Sequence, residues 1–154
     1  MSFHIVLVEP EIPQNTGSIS RTCVVTGTVL HLVHPLGFTI EDKYVKRAGM
    51  DYWPQVDIRH YNSFAELTST YPEGRFFCAT TKAEKPYTAF TYQEGDFFVF
   101  GKESAGLSPE ILHSHRDRLI RIPMDPDYRS LNLATTTGIV LYEALRQVDF
   151  PHLI

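Results

Sequence analysis

Six short apolar runs recur along the chain, each followed by a polar or helix-starting segment. They are Phe3 to Val8, Val29 to Val33, Val56 to His60, Arg75 to Thr80, Asp96 to Phe100 and Leu119 to Ile122. Runs of this length read as strands. Helix starts lie between them. Ser63 followed by Glu66 is a capping box, Thr39 followed by Asp42 is a weaker one, and Ser108 with Pro109 reads as an N-cap and a first-turn proline. From Leu133 the apolar positions 133, 137, 140, 141, 144, 145 and 148 fall on one face of a 3.6-residue period. The threonines at 135, 136 and 137 are poor helix formers, so packing must supply that helix's stability. The alternation predicts an α/β fold, a mainly parallel sheet flanked by helices.

At 154 residues, with no repeat, linker or low-complexity tract, the chain reads as one domain, 1–154. Hydrophobic residues make up 43% and charged residues 21%. No apolar run approaches the roughly 20 residues that span a bilayer. The N-terminus MSFHIVLVEP lacks a basic n-region and a small-residue cleavage site, which makes the cytoplasm the expected compartment and a membrane location unexpected. Cys23 and Cys78 sit inside apolar patterns, far apart and without metal or redox spacing, and read as core thiols. The net charge of -4 argues mildly against a generic nucleic-acid binder. Two local basic clusters cut against that sum: Lys43, Lys46, Arg47 and Arg59, then Arg116, Arg118 and Arg121.

Several motifs can be set aside. GKESAGLS (101–108) has two glycines but Leu107 where a P-loop needs lysine, and no GxGxxG occurs. His31 with His34, and His113 with His115, lack the carboxylate or thiolate partners of a metal site, so no metal is expected. No GxSxG is present, and Ser130 has no evident histidine partner. What remains is polar chemistry just after strand ends. In PEIPQNTGSISRTC, Asn15 reads as a helix N-cap and Gly17 as a close-packing point, while Arg21 is a cation among apolar neighbours. After the strand FFVFG a glycine turn presents Glu103. IPMDPDYRSLNLA turns through Pro123 and Pro126 and sets Arg129, Ser130 and Asn132 at the mouth of the last helix. That mouth offers unpaired N–H groups and positive potential, with Ser130 or Asn132 as its cap.

Taken in order, LVEPEIPQNTGSISRTC, FFVFGKESAGLSPEIL and IRIPMDPDYRSLNLATTTGIVLYEALRQ resemble the three motifs of SPOUT-class RNA ribose 2′-O-methyltransferases. The match runs from Ile5 to Gln147 and is similar to the minimal branch, which modifies the wobble cytidine or uridine of tRNA(Leu). The chain departs from the commoner pattern at Lys102, at Ser108 and at Ala134 with Thr135. The resemblance implies a C-terminal deep trefoil knot, S-adenosyl-L-methionine as cofactor, and a homodimer in which the first and last helices pack across the two-fold. It assigns cofactor contacts to Ala79, Thr80, Gly101, Glu103, Gly106, Ile122, Met124, Ser130 and Leu131. It assigns Arg21 to the ribose 2′-OH, with Asn15, Glu103, Ser130 and Asn132 organising the catalytic site.

Methyl transfer to a hydroxyl needs in-line approach and removal of a proton. A guanidinium has a pKa above about 12, so Arg21 either accepts that proton in an unusual environment or orients the alkoxide while water takes it. For docking the anticodon stem-loop of tRNA the expected contacts are Arg21, Lys43, Lys46, Arg47 and Arg129, with Tyr142 against an unstacked base. Two alternatives stand beside this reading: methylation at another tRNA or ribosomal RNA site, and a non-catalytic knotted RNA-binding module.

Overall fold

A computed structural model describes residues 1–39 and 55–154. The described strands and α-helices, in chain order, are β1 (His4–Val8), α1 (Pro13–Thr26), β2 (Val29–Val33), β3 (Ile58–Tyr61), α2 (Phe64–Thr70), β4 (Phe76–Ala79), β5 (Phe97–Phe100), α3 (Pro109–Ser114), β6 (Leu119–Ile120) and α4 (Leu133–Gln147). The six strands form one sheet in the order β3-β2-β1-β5-β4-β6. Every pairing is parallel, with Ile5 opposite Leu30 and Phe98, and Phe77 opposite Phe98.

Period-two alternation divides the strand side chains between two cores. Ile5, Leu7, Leu30, Leu32, Phe77, Phe98 and Phe100 face α1 and α4, which contribute Ile19, Cys23, Val140, Leu141, Ala144 and Leu145. Val6, Val8, Val33, Phe76, Cys78, Phe97 and Val99 face the other way, against Leu67 of α2 and Leu112 of α3. Both cysteines are buried and free, and burial pushes each thiol up to about 12. Packing stabilises α4 as its threonine content required: Thr137 is fully buried, and its Oγ1 returns a 2.9 Å hydrogen bond to Leu133 O.

The predicted strand positions agree with the sheet except at their ends. The third starts at Ile58 rather than Val56, and the sixth stops at Ile120 because Arg121 leaves the ladder for a single bridge to Pro86. Ser63 accepts from Glu66 N–H and Ser108 from Ile111 N–H, as capping chemistry requires. The Thr39–Asp42 signal runs outside the described residues. Asn15 corrects the sequence reading. α1 begins three residues earlier than an Asn15 cap would start it, at Pro13, with Ile12 at the N-cap position and no side-chain cap of its own, so Asn15 lies inside the helix. Proline, with φ already fixed, starts the helix before the asparagine can.

One polar cluster interrupts the α2-side core. His31 lies between β1 and β3, with Nε2 2.8 Å from His4 Nδ1 and Nδ1 3.1 Å from Tyr61 OH. Burial, then the nearby Arg59 charge, lowers His4 to about 4; burial, then His4 and Arg59, lowers His31 to about 3. Both imidazoles are neutral at pH 7.

Candidate active site

The C-terminal ends of β1, β4, β5 and β6 open onto a cavity of about 550 Å³, a size suited to a nucleoside-sized ligand. Parallel α/β sheets place ligands at this edge because the strand-to-helix loops and helix N-termini converge there. Three stretches supply most of the wall: Ala79 to Lys82 after β4, Phe100 to Leu107 after β5, and Arg129 to Leu133 leading into α4. Ile120, Ile122, Met124 and Leu112 add an apolar side. The β5 loop is pinched into a tight turn, with Gly106 N–H donating to Lys102 O at 2.8 Å. A Cβ on Gly101 would lie 2.1 Å from the Gly106 carbonyl carbon, so only glycine fits there. Gly106 itself adopts φ 70°, the left-handed region where glycine is unstrained.

A chain of side chains ties the two helix entrances to this loop. Glu103 accepts from Glu11 N–H at 2.8 Å, from Ile12 N–H at 3.0 Å and from Asn15 Nδ2 at 3.1 Å. Its carboxylate thus caps α1 from 91 positions away in sequence, supplying the negative charge that the uncapped helix start lacks. Asn15 Oδ1 in turn accepts from Asn132 Nδ2 at 3.1 Å. Asn132 is the N-cap of α4, its Oδ1 accepting from Ala134 and Thr135 N–H at 2.9 and 3.2 Å. Between the two candidate caps, Asn132 and not Ser130 takes the role.

All nine residues expected to contact the cofactor, Ala79, Thr80, Gly101, Glu103, Gly106, Ile122, Met124, Ser130 and Leu131, line this one cavity. Asn15, Asn132 and Arg129 line it as well. Arg21 does not; it stands on an exposed face of α1, about 9 Å further along the helix axis than Asn15 at 1.5 Å per residue. Tyr142 is 45% exposed on α4. Lys43, Lys46 and Arg47 lie outside the described residues. Arg59 is engaged by Asp57 at 3.0 Å and Tyr71 at 2.7 Å, away from the cavity wall. Among the described residues no group of three or more His, Cys, Asp or Glu could hold a metal ion, and no helix is long and apolar enough to cross a membrane.

Sequence reasoning missed Glu11, Ser104, Lys82 and Thr136. Lys82 and Thr136 line the cavity, and Glu11 binds Ser104 at its mouth. Nothing local marks Glu11, because its partner is 93 positions away.

The profile of the SpoU rRNA methylase family matches residues 2–142. A Bacillus subtilis protein that bears the name tRNA (cytidine(34)-2′-O)-methyltransferase provisionally is 47% identical over 153 residues, covering 97% of this chain and 96% of that protein. A solved structure described as giving insight into the 2′-OH methylation of C/U34 on tRNA superposes with a TM-score of 0.90 at 42% identity, covering 96% of this chain and 97% of that one. A Streptomyces viridochromogenes SpoU methyltransferase in complex with AdoMet shares the fold, with a TM-score of 0.83 at 22% identity, covering 96% of this chain and 58% of that one.

Proposed function

The chain belongs to the SpoU rRNA methylase family, and from that premise we propose that it is an S-adenosyl-L-methionine-dependent tRNA methyltransferase acting on the ribose 2′-OH of the wobble cytidine or uridine of tRNA(Leu). The family implies the trefoil knot as well. The observation that supports the reading most is that one cavity gathers every expected donor contact while the Asn132–Asn15–Glu103 chain joins its wall to α1. The cavity also fits the donor: apolar Ile122, Met124 and Leu131 suit a flat base, and the glycine-pinched turn presents backbone groups to polar atoms.

When bound, the donor supplies an already activated methyl group on a sulfonium. The chain's own part is placement. Ala79, Thr80, Ile122, Met124, Ser130 and Leu131 bind and orient the donor, and Glu103, Asn15 and Asn132 hold the loop and both helix starts in register. Arg21, outside the cavity wall, orients the incoming 2′-OH and its neighbouring phosphate and stabilises the alkoxide as the proton passes to water. Arg21→Ala should abolish turnover and leave donor affinity, read by calorimetry, within about threefold of wild type. Near wild-type methylation by that variant would remove Arg21 from the mechanism.

Lys43, Lys46, Arg47 and Arg129 meet RNA phosphates in this reading, with Tyr142 against a loop base or a subunit partner. The enzyme works as a single-domain protomer within a homodimer in the cytoplasm. Val25 on α1 and Tyr142 on α4, 47% and 45% exposed, are apolar surface that a second copy would cover. Nucleoside mass spectrometry of leucine tRNAs, from cells with and without the chain, tests the substrate. Loss of wobble ribose methylation is expected, and unchanged methylation would overturn the assignment.

A further inference from the structure

Two loops at the cavity mouth exchange carboxylates. Glu103 accepts the Glu11 N–H at 2.8 Å, while Glu11 accepts from Ser104 with both oxygens, the N–H at 2.8 Å and Oγ at 3.0 Å. Lys102 Nζ lies 3.8 Å from Glu9 Oε1, so residues 102, 103 and 104 each engage the segment 9–12. That segment cannot easily retreat. Gly37 N–H donates to Pro10 O at 2.9 Å, and even a Cβ on Gly37 would come within 2.8 Å of Glu11 Cα. Glu9 holds φ 53°, uncommon for a residue with a side chain, which marks the turn as determined by its surroundings.

We propose that Glu11 is a positioning residue for methyl transfer: its paired hydrogen bonds to Ser104 lock the donor-cavity loop Gly101–Gly106 onto helix α1, which carries Arg21. The proposal rests on the function proposed above. In-line transfer tolerates little error in the gap between donor and acceptor. The gap spans two bodies, the β5 loop and α1, and α1 has no cap of its own to fix its start. Glu103 joins them through one carboxylate and Glu11 joins them through a second running in the opposite direction. Two antiparallel arms resist sliding and rotation, which one arm does not. The Ser104 N–H, then its hydroxyl, holds the Glu11 carboxyl below the usual range, so the arm remains ionised at neutral pH.

The test uses the full chain with Glu11→Ala, Glu11→Gln, Ser104→Ala and the double variant Glu11→Ala/Ser104→Ala. Glu11→Ala should lower kcat roughly 10- to 100-fold, while KM for tRNA and the donor Kd change less than about threefold. Glu11→Gln should recover most of the turnover, because its amide oxygen can accept the Ser104 N–H and its NH2 can donate to Ser104 Oγ. The double variant should be no worse than Glu11→Ala alone, the signature of one shared interaction. Hydrogen exchange at the Ser104 amide should accelerate in Glu11→Ala and not in Glu11→Gln. Unchanged kcat in Glu11→Ala, a loss confined to donor Kd, or a Gln variant as impaired as the Ala variant would each overturn the proposal. Should Glu11→Ala fail to fold, Glu11→Gln and Ser104→Ala carry the comparison. Wild-type inactivity on every tRNA would sink the functional reading instead, and Ser104 amide exchange would still decide whether the clasp exists.

Discussion

Replacing Glu103 by alanine removes a helix cap that belongs to a distant loop, and its cost can be worked from the three bonds lost. Losing a capping side chain costs about 0.5–2 kcal/mol, and losing a carboxylate beside a helix N-terminus about 0.3–1 kcal/mol. The buried Asn15 amide also loses its acceptor, at about 1 kcal/mol. The Ile12 N–H is exposed and water can replace its bond, so the total falls near 2–3 kcal/mol, about 5–10 °C in Tm for a chain of this size. Urea titration followed by circular dichroism reads the loss directly, with an unchanged m-value showing that the unfolded reference is the same. Glu103→Gln should recover less than half of it, since one oxygen becomes a donor facing other donors. A loss under about 0.5 kcal/mol for Glu103→Ala would refute the long-range cap.

Three further outcomes follow from the geometry. Gly101→Ala must push the Gly106–Leu107 backbone aside by about 1 Å, so donor affinity by calorimetry should fall at least tenfold while far-UV dichroism is retained. Stability should decline as pH drops from 6.5 toward 5, because His4 and His31 titrate near 4 and 3 when folded but near 6.5 when unfolded, so the unfolded chain binds the extra protons. After allowance for the partial exposure of His4, the pair costs about 2 kcal/mol at pH 5.5; equal urea midpoints at pH 7 and 5.5 would contradict this. Cys23 and Cys78, buried with raised thiol pKa, should resist a thiol reagent at pH 8 until the chain is unfolded, and rapid native labelling would show that the core is open.

Much of the architecture was legible in the residue pattern. Runs such as Ile5–Val8 and Phe97–Phe100 are apolar at every position because a parallel strand is covered on both faces, and that property is local. The helix starts at Ser63 and Ser108 were equally local, since cap and capped N–H lie three residues apart. The start of α1 misled for the same reason. Its cap is Glu103, so the nearest side chain of a type that usually caps, Asn15, took a role it does not have.

Local pattern reveals the kinds of group present and the segments that carry them: strands, glycine turn, Arg21, Glu103, Asn132. Which of these groups meet depends on how the layers pack. The sheet order sets β5 beside β1, and that adjacency brings Glu103 and Ser104 against residues 11–15. It also leaves Arg21 outside the cavity wall and Asn132 bonded to Asn15 across 117 positions. The difference is one of range. Propensity and periodicity act over a helical turn or a strand, whereas a hydrogen bond between loops exists only after the layers have packed and fixed the distance between them.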